Sequence, residues 1–262
     1  MFVKLRFLCC SDTAGYCADG LSTGIFHGMF SSEIDVENNL ETWSALVARR
    51  FGARYSSQAV SGIGVMGQGS DPADLSSFPL AALLGRTNPG QRDQFGCSPD
   101  SVPDALVALI GPNDFTSDAK KKKAGGGAFE AAFKEMMSTL VGEHDCAKKK
   151  PRFIAVCAGS GNGFDPCNKT EAAVSGWDAG TTGMEAYYIS MNRKTWDYIN
   201  YGPKATMYQG CASHYNPRGH SILSSEVSPQ IATILSWEGQ GTYDWCDHDE
   251  GCKAWTGDQS HI

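Results

Sequence analysis

A chain of 262 residues, 41% hydrophobic and 19% charged, has the composition of a globular protein with one large domain or two small ones. Its formal charge of −7 argues against a nucleic-acid partner, which needs a basic face, and gives no attraction to an anionic membrane. No apolar stretch approaches the ~20 residues that cross a bilayer. The basic clusters Lys120–Lys123 and Lys148–Lys150 read as solvated loop charges.

The N-terminal stretch sets Lys4 and Arg6 between apolar residues. That is a strand pattern over Leu5–Leu8, without the apolar core of a signal peptide. A polar, glycine-bearing loop follows from Ser11 to about Asp35. Asn39–Arg50 places Leu40, Trp43, Leu46 and Val47 on one helical face. Arg54–Val60 fits a second strand, which runs into S-G-I-G-V-M-G. Gln68–Pro103 has little periodicity, with one helical turn expected at Leu80–Leu84.

Ala105–Ile110 is a continuous apolar run, the pattern of a strand buried on both faces of a parallel sheet, and it ends at G-P-N-D. Phe129, Ala132, Phe133, Met136, Met137, Leu140 and Val141 keep i, i+3, i+4, i+7 spacing and predict a helix. Phe153–Cys157 reads as a strand, Met184–Tyr201 as a helix and Ala205–Tyr208 as a short strand. Gly219–Trp237 reads as a last helix interrupted near Pro229. Strands alternating with helices predict an α/β domain, a parallel sheet between helix layers, over residues 1–237. Residues 238–262 are acidic, aromatic and cysteine-bearing, an appended tail packed on that domain.

The ten cysteines favour an oxidising compartment such as the secreted one. Cys246 and Cys252 are expected to close a local loop, and Cys211 to pair with Cys157 or Cys167. Nothing in the spacing suggests zinc: there is no C-x-x-C pair with a histidine partner. The acidic tail residues Asp244, Asp247, Asp249 and Glu250 lack the ligand spacing of a calcium loop.

In an open parallel sheet, ligands bind outside the carboxyl ends of the strands. Four segments there carry reactive or polarising groups: C-C-S-D-T-A-G-Y, S-G-I-G-V, G-P-N-D and C-A-S-H-Y-N-P-R-G-H. Each alone has an ordinary reading. A loop serine caps or turns, Gly62 supplies a positive φ, and Asn113 and Asp114 form turns. Their order along the chain carries more weight. A G-x-S-x-G elbow is absent, which disfavours an α/β-hydrolase.

In these blocks the sequence resembles the SGNH (GDSL-type) hydrolases, and within them the catalytic domain of carbohydrate esterase family 2, the acetyl-sugar deacetylases. F-L-C-C-S-D-T-A-G-Y-C aligns with that family's F-I-G-D-S-I-T-x-G-Y-G and places Ser11 on the nucleophile. E-N-N-L-E-T-W-S-A-L-V-A-R-R-F-G-A is similar to its first helix. S-G-I-G-V supplies the block-two glycine as Gly62. G-P-N-D-F matches G-T-N-D-F and places Asn113, and H-Y-N-P-R-G-H matches H-P-N-x-x-G-H and places His214. The resemblance runs from about Lys4 to Trp237 and leaves out that family's N-terminal β-domain.

The resemblance implies a flavodoxin-like three-layer α/β/α sandwich and acyl transfer. Ser11 would be the nucleophile and His214 its base. The backbone N–H groups of Ser11 and Gly62 and the Asn113 amide would form the oxyanion hole. No metal or organic cofactor is implied. The substrate would be a small-molecule or oligosaccharide ester, with Trp177 available to stack on a sugar ring or to pack its own loop. The loops Gln68–Pro103 and Phe164–Tyr188 are expected to wall the cleft.

The sequence departs from the family at Cys9 and Cys10, where it has Gly and Asp. It departs again at Cys211, where many members carry the acid of D-x-x-H. A Ser–His dyad, or an acid from elsewhere (Asp12, Asp19 or Asp165), is then required. Cys10 is expected to point away from the site and His220 to be structural. A lipid esterase or thioesterase on the same scaffold, and a non-catalytic sugar-binding relative, are the alternatives.

Overall fold

The computed structural model describes residues 3–16, 18, 38–67, 75–84, 86, 97–115, 124–125, 127–158, 166–211, 214–237 and 246–254. In chain order it contains β1 (Lys4–Cys9), α1 (Ser11–Ala14), α2 (Trp43–Arg50), β2 (Arg54–Ala59), α3 (Leu80–Leu83) and β3 (Ala105–Leu109). Then come α4 (Ala128–Glu143), β4 (Arg152–Cys157), α5 (Pro166–Ser175), α6 (Ala179–Thr182), β5 (Ala186–Ser190), α7 (Arg193–Tyr201), α8 (Pro217–Leu235) and α9 (Glu250–Ala254).

The strands form one five-stranded sheet in the order β2-β1-β3-β4-β5, with each neighbouring pair parallel. Every residue of central β3 is buried, as its unbroken apolar run requires, whereas edge strand β2 alternates between exposed and half-buried.

Side-chain alternation on β1 separates the helix layers. Phe7 meets the Trp43 ring of α2 edge-on, with centroids 5.3 Å apart. Its neighbour Arg6 points to the other face and donates to Glu143 Oε2 at the end of α4, at 2.9 Å. On one face α2 packs against α8; on the other α4 packs against α3 and α5. The result is the α/β/α sandwich expected, with the chain leaving β1, β2 and β3 at one rim.

The predicted helix over Ala128–Glu143 buries Phe129, Phe133, Met136, Met137 and Leu140. Lys150 is no solvated charge: its Nζ donates to the carbonyls of Val141 and His144 at the end of α4 and to Asp145. Lys148 and Lys149 are exposed as expected, and Lys120–Lys123 lie outside the described residues.

Several expectations are corrected. Met184–Tyr201 is not one helix: Ala186–Ser190 pairs with β4 as the fifth strand, and a helix starts only at Arg193. The run Tyr187-Tyr188-Ile189 suits a pleated surface, and Asn192 ends it by capping α7, its Oδ1 accepting from Lys194 N and Thr195 N. With β5 holding that edge, Ala205–Met207 is a 3₁₀ turn instead of a strand.

The last helix starts at Pro217, an N1 proline behind the Asn216 cap, and runs unbroken through Pro229. Around that proline, Gln230 Nε2 donates to Glu226 O and Thr233 Oγ1 to Pro229 O. Leu40 is 67% exposed, because Thr42 caps α2 and Leu40 precedes the helix.

Among the described cysteines, Cys97–Cys146, Cys157–Cys167 and Cys246–Cys252 are disulfides. The expected closure in the tail is present. Cys157 and Cys167 pair with each other, ten residues apart, so Cys211, itself disulfide-bonded, pairs with neither. Among the described residues no helix is long and apolar enough to cross a membrane.

Trp43 is fully buried between α2 and β1. Trp43→Ala is expected to lower unfolding free energy by about 3–5 kcal/mol in urea melts. A loss below about 1 kcal/mol would mean that this layer contact is not a main support of the sheet.

Candidate active site

Strand β1 delivers Ser11. Directly after it Cys10 caps the single-turn helix α1, which closes when Gly15 N and Tyr16 N both donate to Ser11 O, at 2.8 and 3.0 Å. Ser11 N is the first amide of that turn and has no intrahelical acceptor. Two further bonds tie the turn to the start of α2: Asn39 Nδ2 donates to Thr13 O at 2.7 Å, and Trp43 Nε1 to Thr13 Oγ1 at 3.3 Å. Alternation turns Cys10 the other way. Its thiol is 3% exposed, unbonded to another cysteine, and 3.8 Å from Leu109 O inside the sheet. Strand β1 continues through Cys9, which pairs with Ala59.

His214 reaches Ser11 across 203 residues of sequence, with its Nε2 2.7 Å from Ser11 Oγ. The backbone around it is closed on itself. Gly210 N donates to His214 O at 2.7 Å, His214 N to Cys211 O at 3.1 Å, and Gln209 and Tyr215 form an antiparallel bridge. Asn216 then caps α8, its Oδ1 accepting from Arg218 N and Gly219 N. Its Nδ2 donates to Met207 O and Gln209 O.

His214 Nδ1 is buried and has no hydrogen-bond partner among the described residues. Of the three candidate acids, Asp12 accepts instead from Tyr215 N at 3.4 Å. Asp19 and Asp165 lie outside the described residues. The ring has another neighbour, Tyr16, edge-to-face with centroids 5.0 Å apart. Tyr16 matched the family's first block, but that match carried no role for it, since a ring contact across two loops leaves no mark in spacing.

The second and third blocks are joined by side-chain bonds. Gly62 takes φ +78°, a left-handed turn that brings the chain back toward β3. Asn113 Nδ2 donates to Ile63 O at 2.8 Å; an amide nitrogen carries two protons, so one donor remains. Asp114 is 2% exposed and accepts from Val65 N and Met66 N, at 3.0 and 2.9 Å, the loop-fixing role expected of it. Cys10, Ile63, Gly64, Val65, Pro112 and Asn113 share the wall of one small cavity, so the three blocks converge on one place.

Trp177 is not brought there. It follows α5, and its Nε1 donates to Met184 O at 2.9 Å, just before β5 begins. That is the amino end of the sheet, opposite Ser11, because α5 leaves the carboxyl end of β4 and returns to the start of β5. The indole packs its own loop against the core. Of the segment Phe164–Tyr188, the first two residues lie outside the described residues, and the rest runs from Pro166 and Thr170 beside Gly111 to the amino end of the sheet, while Leu80 N donates to Gly64 O and places part of Gln68–Pro103 beside the site.

His220 is fully buried at the start of α8, its ring edge-to-face with Tyr215 at 5.9 Å. Burial lowers its pKa to about 4, with the Asp12 carboxylate opposing that shift and His214 adding to it. It is neutral at pH 7 and does not touch Ser11, which fits its structural assignment. Tyr215, buried beside Asp12, has its phenol pushed well above the ordinary value by desolvation.

No protein-family model and no curated protein matches this chain. The structure is similar to a family two carbohydrate esterase from Clostridium thermocellum in complex with cellohexaose, with a TM-score of 0.67 and 21% identity, over 90% of this chain and 65% of that one. It is similar to a carbohydrate esterase family 2 enzyme with a carbohydrate-binding domain from Corynascus thermopiles (Myceliophthora fergusii), with a TM-score of 0.67 and 21% identity, over 90% and 67% of the two chains. A GDSL-like lipase from Bacteroides uniformis aligns with a TM-score of 0.50 and 16% identity, over 90% and 96%. The chain thus spans about two thirds of the length of the carbohydrate esterases, and its fold is that of the SGNH hydrolases.

A neutral buried imidazole makes stability pH-dependent. The unfolded chain takes up a proton near pH 6.5, whereas the folded one resists until about 4. His220's contribution to stability is therefore complete above pH 6.5 and is lost as pH falls toward 4, roughly 2–3 kcal/mol of it by pH 4.5. In urea melts, His220→Gln should lose less between pH 7 and 4.5 than wild type, by roughly that amount. Equal losses in both proteins would assign the acid sensitivity to other groups.

Proposed function

We propose that the protein is a serine esterase that removes O-acetyl groups from carbohydrates through an acyl-Ser11 intermediate. The observation that carries this reading is the 2.7 Å contact between His214 Nε2 and Ser11 Oγ. A serine hydroxyl is a weak nucleophile until a neighbouring base accepts its proton. Ser11 Oγ attacks the ester carbonyl carbon as its proton passes to Nε2. Charge then develops on the former carbonyl oxygen, where the Ser11 and Gly62 amides and the second proton of Asn113 Nδ2 are its donors. His214 returns the proton to the departing sugar oxygen. Water, deprotonated by His214, attacks the acyl-serine; the Oγ–acyl bond breaks, acetate leaves, and His214 returns the proton to Ser11 Oγ. None of these steps calls for a metal or an organic cofactor.

The carbohydrate half rests on likeness: two similar structures are carbohydrate esterases, and the sequence blocks resemble the acetyl-sugar deacetylases. Residues 1–237 form the catalytic unit in this reading. The tail docks on it where Lys194 Nζ donates to Lys253 O at 2.9 Å.

The test is acetate release from p-nitrophenyl acetate and from acetylated xylan or mannan fragments. Ser11→Ala and His214→Ala should each lower kcat by about 10³-fold or more. Asn113→Ala should lower it by about 10²-fold, and Cys10→Ala should keep turning over. Turnover surviving Ser11→Ala, or absent from wild type on all these esters, contradicts the proposal.

A further inference from the structure

Among the described residues, no carboxylate bonds His214 Nδ1. Position 211 carries a bonded cysteine, Asp12 bonds Tyr215 N, and Nδ1 has no hydrogen-bond partner among the described residues. The backbone bonds of Gly210 and Cys211 fix where the Cα of His214 sits, but they leave the ring free to turn about χ2, a broad torsion for histidine. Two contacts restrain that rotation: Ser11 Oγ on Nε2, and the ring of Tyr16.

Both restraints come from one rigid turn. Tyr16 N is bonded to Ser11 O, and Gly15 before it holds φ +91° so closely against the next segment that a Cβ there would lie 2.4 Å from Asn38 O. The Tyr16 backbone is therefore tied to that of Ser11. We infer that Tyr16 is a positioning residue for His214, which holds the imidazole against Ser11.

The kinetic part of this inference rests on the esterase reading; the placement of the ring does not. The experiment compares Tyr16→Phe and Tyr16→Leu with wild type, by crystal structure and by kinetics on p-nitrophenyl acetate. In Tyr16→Leu the His214 ring should leave hydrogen-bond distance of Ser11 Oγ or adopt several orientations, while Tyr16→Phe keeps it in place. The leucine variant should lose about tenfold in kcat with KM nearly unchanged, and phenylalanine should restore it.

A His214 ring that stays on Ser11 in Tyr16→Leu overturns the inference whatever the rates. So does a rise in KM alone, which would make Tyr16 a substrate contact, or a phenylalanine variant as impaired as leucine. Wild type with no turnover, but with the ring displaced in Tyr16→Leu, removes the esterase reading and leaves the positioning role standing.

Discussion

The hydrogen bond between Ser11 Oγ and His214 Nε2 joins two segments far apart in sequence, flanked by the bond from Tyr215 N to Asp12 and the Tyr16 ring contact, and the rest of the site is arranged to hold it at 2.7 Å. On the serine side, inner strand β1 ends in one helical turn, and that turn is fastened to the start of α2 through Thr13. On the histidine side, the segment from Gln209 to Asn216 is bonded to itself before it enters α8. Because α2 and α8 pack together over the same face, both fastenings reach one helix layer. The distance between the reacting groups thus depends on core packing more than on either loop.

The electrostatics of the pair are unusual. A carboxylate beside the catalytic imidazole would favour the cation that forms during proton transfer, and removing it can cost about 10⁴ in rate in a serine protease. Here the nearby carboxylate, Asp12, is engaged with a backbone amide, and the second buried histidine is held neutral by desolvation. In the proposed reaction, stabilisation of the developing charge then falls to the donors assigned to the oxyanion. The proposed reaction relies on preorganised amides to carry the charge of the oxyanion.

Much of this was legible in the sequence where one residue type permits one structure. The six apolar residues Ala105–Ile110 could only be a buried strand, and the phenylalanines and methionines of α4 left one helical face. Ser11, Gly62, Asn113 and His214 were singled out because their blocks, in that order, resemble those of the SGNH hydrolases. What stayed hidden was decided by partners distant in sequence. Tyr187-Tyr188-Ile189 is a strand because the edge of β4 was open, and Trp177 lies at the far end of the sheet because of the direction in which α5 runs. Lys150 caps a helix that ends several residues earlier, which charge-run reasoning does not see. The Asn113 amide is half engaged by Ile63 O, a division that only the folded backbone reveals.

The most direct test of the central claim is whether Ser11 is an activated nucleophile. Incubating the intact protein with a fluorophosphonate and mapping the adduct by mass spectrometry should show one label, on the Ser11 peptide, lost in His214→Ala. No label on wild type, or a label on another residue that persists without His214, would contradict the account and leave a hydrolase fold without the chemistry assigned to it.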